Sequence, residues 1–224
     1  MPQYDIHPSE RLRTLFSDKP YQGAEPSNAR VLILGNDANY SPEISAHQFF
    51  DRILEYHEDG VQFWKDTGFH HPFVLPEYPL DSRKGGVKYH SNFRKLNFSS
   101  VDADKFSFVE LLDVPTIGNT GSNKGLFFRL INESHLDWLE YLIFDTEPKF
   151  VLVNQTLAKS ILGIMKKTGK LGRLGPLIAN KPVQTVAYES PNATIYNGYS
   201  FSYTYTNEEL DDLSRTIRDF ISNG

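Results

Sequence analysis

The sequence predicts an α/β protein: a three-layer fold in which a central, mainly parallel sheet is flanked by helices. Three observations predict it. Short apolar runs recur along the chain, each stopping at a turn-forming residue. Segments of helical periodicity lie between them. The chain has 224 residues, 39% hydrophobic and 13% aromatic, enough for one large buried core. Strands separated by helices favour a parallel sheet, because each crossover needs a dozen or more residues to carry the chain back.

Residues 1–29 are polar and carry Pro20, Gly23 and Pro26, so they read as an arm packed on or leading into a single domain over 30–224. The first strand is Val31-Leu32-Ile33-Leu34, apolar at every position as a strand buried on both faces must be, and it stops at Gly35. Ala46, Phe49, Phe50, Ile53 and Leu54 then recur at the spacing of an amphipathic helix. The aromatic, proline-rich stretch 69–100 has no clear period and reads as an insertion or lid. A second strand runs from Phe106 to Leu112. A helix over 136–144 is expected to be capped by Ser134. Further on come a strand at Phe150-Val151-Leu152-Val153, a helix over about 156–166 and a strand from Val183 to Tyr188. The last helix is the clearest: Thr206 and Glu209 form a capping box, and Leu210, Leu213, Ile217, Phe220 and Ile221 share one face.

The composition excludes several chemistries. There is no cysteine, hence no disulfide framework, thiolate metal site or cysteine nucleophile. The N-terminal residues lack the basic start and apolar run of a signal peptide, and no apolar stretch is long enough to cross a bilayer. A cytoplasmic monomer without membrane contact is expected. A net charge of −5 argues against coating nucleic acid through bulk electrostatics, though a local basic rim would suffice for an enzyme. Lys159, Lys166, Lys167, Lys170 and Arg173 form the one acid-free basic stretch of useful length.

In parallel sheets ligands bind beyond the carboxyl ends of the strands, which singles out the loops 35–40, 113–119 and 154–156. Gly35-Asn36-Asp37 follows the first strand directly. A glycine there lets backbone approach a ligand closely, and an aspartate two residues on is held at the mouth of the sheet. The plain alternative is that Asn36 and Asp37 only make the turn.

From Val31 to Asp37 the chain resembles the first motif of the uracil/mismatch DNA glycosylase superfamily, an apolar strand followed by G-Q-D-P-Y-H or G-I-N-P-G. Phe63-Trp64-Lys65 with Gly68-Phe69 is similar to an F-W-K and G-F stretch of the mismatch-specific branch. Leu111-Leu112-Asp113-Val114-Pro115-Thr116 is similar to its L-V-D-R-P-T. Residues 149–162 resemble the segment P-x-x-x-x-x-L-G-x-x-A, and 200–220 stand where the family has H-P-S or N-P-S before a final helix. The pieces occur in the family's order.

The resemblance implies a fold like that of uracil-DNA glycosylase and hydrolysis of the N-glycosidic bond of a damaged or mismatched base flipped out of DNA. The alternative is a non-catalytic protein of the same fold that binds a nucleobase, a nucleotide or nucleic acid. No metal or organic cofactor is implied. Asp37 falls on the acidic residue that orients water and stabilises an oxocarbenium-like state. Asn197 and Ser200 are candidates for the second motif, since no histidine follows His135. Gly35, Asn36, Tyr40, Phe49 and Glu110 are candidates for the base pocket: Phe49 to stack on the base, Tyr40 to line its floor. Asn119, Lys124, Lys166 and Lys167 are candidates for DNA contact.

Two positions depart from the pattern. Ala38 stands where the family has proline. Glu110 stands near the position of a base-reading asparagine, and an ionised carboxylate only accepts hydrogen bonds, so it suits an exocyclic amine better than uracil.

Other constellations are weaker. His70 and His71 are adjacent and point apart in extended chain, so no metal is expected, a zinc site with His90 and Asp81 being the alternative. His57-Glu58-Asp59 reads as a solvated helix end. The glycine-rich loop 118–125 lacks phosphate-loop spacing, and a third class, an unrelated α/β hydrolase, finds no nucleophile.

Overall fold

The computed structural model describes residues 3–80 and 85–223. The first half of the chain contains β1 (Asp5–Ile6), α1 (Glu10–Asp18), β2 (Tyr21–Gly23), β3 (Val31–Gly35), α2 (Phe50–Glu58), α3 (Gly60–Thr67), α4 (Gly85–Arg94), β4 (Phe106–Glu110) and β5 (Thr116–Ile117). It continues with α5 (Lys124–Arg129), α6 (Glu133–Phe144), β6 (Lys149–Asn154), α7 (Gln155–Thr168), α8 (Leu174–Ile178), β7 (Thr185–Glu189), β8 (Ala193–Gly198) and α9 (Asn207–Asn223).

These elements make an α/β fold around a six-stranded sheet of order β2-β4-β3-β6-β8-β7. The central strands β4, β3, β6 and β8 are parallel, and the two edge strands run antiparallel to their neighbours. Alternation assigns each strand residue to a face. Leu32, Leu34, Val109, Val151, Val153 and Ile195 pack on one side with Leu139 and Ile143 of α6 and with Leu157 and Ile161 of α7. Val31, Ile33, Phe106, Phe108, Phe150 and Leu152 pack on the other with Trp64 of α3, Phe93 of α4 and Leu213 of α9. Both faces are covered, which is why these strands read as continuous apolar runs.

The chain departs from the sequence-based expectation in five places. The N-terminal residues are woven into the fold, with β1 pairing β5 and β2 forming a sheet edge on β4. The expected helix near Phe49 is split: a 3-10 turn spans Pro42–Ala46, and α2 starts at Phe50 with Phe49 as its N-cap. Asn132, not Ser134, caps α6, its Oδ1 accepting from the backbone N–H groups of Ser134 and His135. The strand expected over 183–188 is an antiparallel edge, while the buried β8 beside it was not foreseen. The described residues of the stretch 69–100 join the core, with His70, His71, Phe73, Val87 and Phe93 all buried. The capping box of α9 forms as expected: Glu209 accepts from the Thr206 backbone N–H, and Thr206 Oγ1 accepts from that of Glu209.

Candidate functional site

The chain leaves β3 for β4 on one side and later returns to β6 on the other, so β3 is the point where strand order reverses. A cleft of about 370 Å³ opens there, at the carboxyl ends of the parallel strands. Its walls include Gly35, Asn36, Asp37 and Tyr40 after β3, Glu110 at the end of β4, and Asn119 and Thr120 beyond β5. Asn154 and Thr156 at the head of α7 and Ser200 and Ser202 after β8 complete that side. The remaining wall comes from His71, Phe73, Gly86, Tyr89 and His90. A hollow of about 360 Å³ between α1 and α2 lies away from the strand ends.

The loop carrying Asp37 is held by backbone bonds to the loop after β4. The N–H of Leu111 donates to Gly35 O, that of Leu112 to Asn36 O, and that of Thr116 to Ala38 O, while Tyr40 N–H donates to Thr116 O. Thr116 Oγ1 donates to Asp37 Oδ2 at 2.5 Å, and Thr120 Oγ1 donates to Asp37 Oδ1 at 3.1 Å. The buried Tyr4, just before β1, stands behind this carboxylate, and burial with the Asp37 charge pushes its phenol far up. Asp37 is therefore oriented by side-chain hydroxyls and still faces the cleft. Asn36 lines the same wall, with its Oδ1 buried and unpartnered among the described residues.

Glu110 shares the face of Phe106 and Phe108, and its carboxyl lies over Gly35 so closely that a Cβ there would overlap it. Burial, and then the neighbouring Asp37 charge, push its carboxyl up to about 8. In its uncharged form such a group carries one O–H donor and one acceptor, whereas an ionised carboxylate only accepts.

The aromatic wall is tightly packed. Tyr40 hydrogen-bonds His57 Nε2 at 2.8 Å and meets Phe73 edge-on. His57 is 2% exposed rather than a solvated helix end, and burial pushes its imidazole down to about 3. His71 stacks on His90 with ring centroids 3.5 Å apart, and His70 Nε2 shares a hydrogen bond of 3.1 Å with His90 Nδ1. Burial pushes His90 down to about 3 and holds His70 and His71 well below the ordinary value. Among the described residues no group of three or more metal-ligating side chains is arranged to hold an ion; Asp81 lies outside them. Asn92 of α4 donates to the carbonyls of Phe201 and Tyr203, fixing the last loop against this wall.

Gly35, Asn36, Asp37, Tyr40, Glu110, Asn119 and Ser200 thus meet in one cleft. Five other expected residues stand elsewhere. Phe49 is buried at the head of α2 against Tyr78. Asn197 shares strand parity with Ile195, on the face opposite Glu110, and its Nδ2 donates to the carbonyls of Lys181 and Pro182. Lys166 and Lys167 end α7, whose first residues touch the cleft, so a rise of 1.5 Å per residue puts them roughly 17 Å away. Lys124 is exposed at the start of α5, outside the cleft wall. Tyr89, Phe73, His71 and His90 carried no periodic signal; the density of aromatic and histidine residues in 69–100 was the available clue.

Fold and site together define an α/β protein with a mainly parallel sheet and a cleft at its strand ends. The chain matches no family model, no curated protein and no solved structure. Among the described residues no helix is long and apolar enough to cross a membrane.

Proposed function

We propose that this cleft takes up a nucleobase turned out of DNA and hydrolyses its N-glycosidic bond. The observation that carries the reading is convergence: a hydroxyl-oriented carboxylate (Asp37), an aromatic wall (Tyr40, Phe73, Tyr89) and hydroxyls of the last loop (Ser200, Ser202) line one cleft. Thr116 and Thr120 fix the orientation of the Asp37 carboxylate through their hydroxyls. A fixed anion beside the sugar stabilises the positive charge that develops as the bond breaks. The C1′–N electron pair leaves with the base, water adds its oxygen to C1′, and the proton released by that water returns to the departing base. A flat ring fits between aromatic side chains, which stack on every base.

A second reading is a binder of a nucleobase or nucleotide without hydrolysis. It is favoured by one observation: among the described residues lining the cleft none is Lys or Arg, in a chain of net charge −5, whereas DNA affinity comes largely from cationic contacts to phosphate.

The test uses labelled duplex and single-stranded oligonucleotides carrying uracil, hypoxanthine, xanthine or a G·T mismatch, followed by alkaline strand cleavage. The expected result is abasic-site formation that falls by about 10²-fold or more in Asp37→Asn. Folded wild-type protein that forms no abasic site on any substrate leaves the binding reading in its place.

A further inference from the structure

Glu110 ends β4 on the apolar face of the strand, after Phe106 and Phe108. Its carboxyl rests on Gly35 and opens onto the cleft. No hydrogen-bond donor reaches it among the described residues, and no Lys or Arg among them lines the cleft. The titratable groups around it come from every neighbouring element. Asp37 and Tyr40 face it from the loop after β3, Tyr56 from α2 and Tyr89 from α4. His71 and His90 line the same cleft, both held neutral by burial. His135 of α6 reaches the Glu110 backbone carbonyl, not its carboxyl. Among the described residues the one neighbouring charge, Asp37, has the same sign. An ionised Glu110 would be a half-buried anion beside a second anion, with no counter-ion among the described residues, which is costly. The uncharged form removes both penalties.

We infer that Glu110 determines specificity as an uncharged carboxylic acid, donating its O–H to an acceptor on the base and accepting from an adjacent N–H of the same edge. The ligand class that follows is a nucleobase with one donor and one acceptor side by side, the amide-type edge of uracil or hypoxanthine or the amidine-type edge of cytosine or adenine. A double-donor edge, such as the N1–H and amino group of guanine, suits only the ionised form. This inference rests on the nucleobase reading above and deepens it. Burial and Asp37 set the loss of the proton at about 8, so recognition is full at neutral pH and fades above it.

The experiment has two arms on the purified full chain. Infrared difference spectra of wild type against Glu110→Gln report the carbonyl stretch of a protonated carboxyl. That band is expected at neutral pH, disappearing with a midpoint near 8; a carboxylate signal at neutral pH overturns the inference and leaves the proposed function standing. Calorimetric binding of free uracil, hypoxanthine, cytosine, adenine and guanine is then compared at about pH 6.5 and about pH 9. The wild type should bind at least one donor–acceptor base and lose roughly tenfold in affinity at the higher pH, one unit above the transition. Glu110→Gln keeps a donor and an acceptor at every pH, so its affinity ratio between the two pH values reports the ligand's own ionisation alone and should fall well short of the wild-type ratio. Glu110→Leu, with neither group, should lose binding. Equal pH ratios in wild type and Glu110→Gln, tighter wild-type binding at high pH, or no binding by any of these bases would each overturn the inference. Bases that bind with the expected profile, on a protein that removes none from DNA, would sink hydrolysis alone and keep Glu110 as assigned.

Discussion

Gly35 is the residue on which the cleft's geometry turns. It ends β3 in a backbone conformation that other residues tolerate, so its need for hydrogen in place of a side chain comes from its neighbour: the Glu110 carboxyl occupies the space a Cβ would fill. Alanine would drive that carboxyl into the cleft or the strands apart, an overpacking cost of typically 1–3 kcal/mol (about that scale). The two residues are therefore coupled, and a double-mutant cycle isolates the coupling. Gly35→Ala should lower stability by about 1–3 kcal/mol in the wild type and by no more than a few tenths in a Glu110→Ala background, because the clash is then gone. Urea denaturation of the four proteins measures both figures. An equal cost in the two backgrounds would mean that the strain of Gly35→Ala lies in the backbone and not against Glu110.

Secondary-structure elements show what the sequence made legible and where it fell short. Apolar runs end at the loops 35–40 and 113–119, which carry Asp37 and its partner Thr116, while the second partner, Thr120, lies one residue beyond. β8 went unread because Asn197, Gly198 and a threonine break its apolar pattern, although every one of its residues is buried. Missing β8 hid the parity that turns Asn197 away from the cleft. Phe49 is singled out by its distance from Gly35–Asp37, yet it stands at the head of α2 with its ring packed on Tyr78; the basic residues of α7 are singled out by charge without regard to helix length.

The start of α6 gives a quantitative version of the same lesson. Ser134 is a good capping residue by type, but only Asn132 has extended backbone at the junction, with φ −97° and ψ 111°, and a side chain placed to accept from two N–H groups. Asn132→Ala should cost about 1 kcal/mol, as loss of a cap does, and Ser134→Ala only a few tenths, since its hydroxyl caps nothing. Thermal unfolding of the two variants decides it; the reverse order would restore Ser134 as the cap.

Across the whole molecule, buried titratable groups of opposite habit set the pH at which the fold is most stable. Burial holds His57 and His90 down to about 3, and His70 and His71 well below their ordinary value. The unfolded chain takes up protons at these positions below about 6.5 and the folded chain does not. Their contribution is thus complete above that pH and is lost as pH falls toward the folded values. With all four acting, the loss reaches up to about 5 kcal/mol per pH unit, from four protons at 1.36 kcal/mol each. Glu110 has the opposite sign: its folded pKa, about 8, lies above the unfolded value of 4.5, so the stability it contributes is complete below 4.5 and lost as pH rises through 8. One carboxyl changes stability by only about 1.4 kcal/mol per unit, so the histidines dominate the acid side and Glu110 tilts the neutral side. Domains of this kind are stable by about 5–15 kcal/mol, so a loss on this scale is a large fraction of the whole. The urea midpoint should therefore peak near pH 6.5, collapse before pH 4 and decline gently toward pH 8, and Glu110→Gln should flatten the neutral and alkaline decline while leaving the acid collapse in place. Far-UV circular dichroism of urea titrations from about pH 4 to pH 9 reads all three features. A fold that keeps its midpoint from pH 6.5 down to pH 4 would show that the histidines accept protons without leaving the core, and that the packing around His71 and His90 yields to charge.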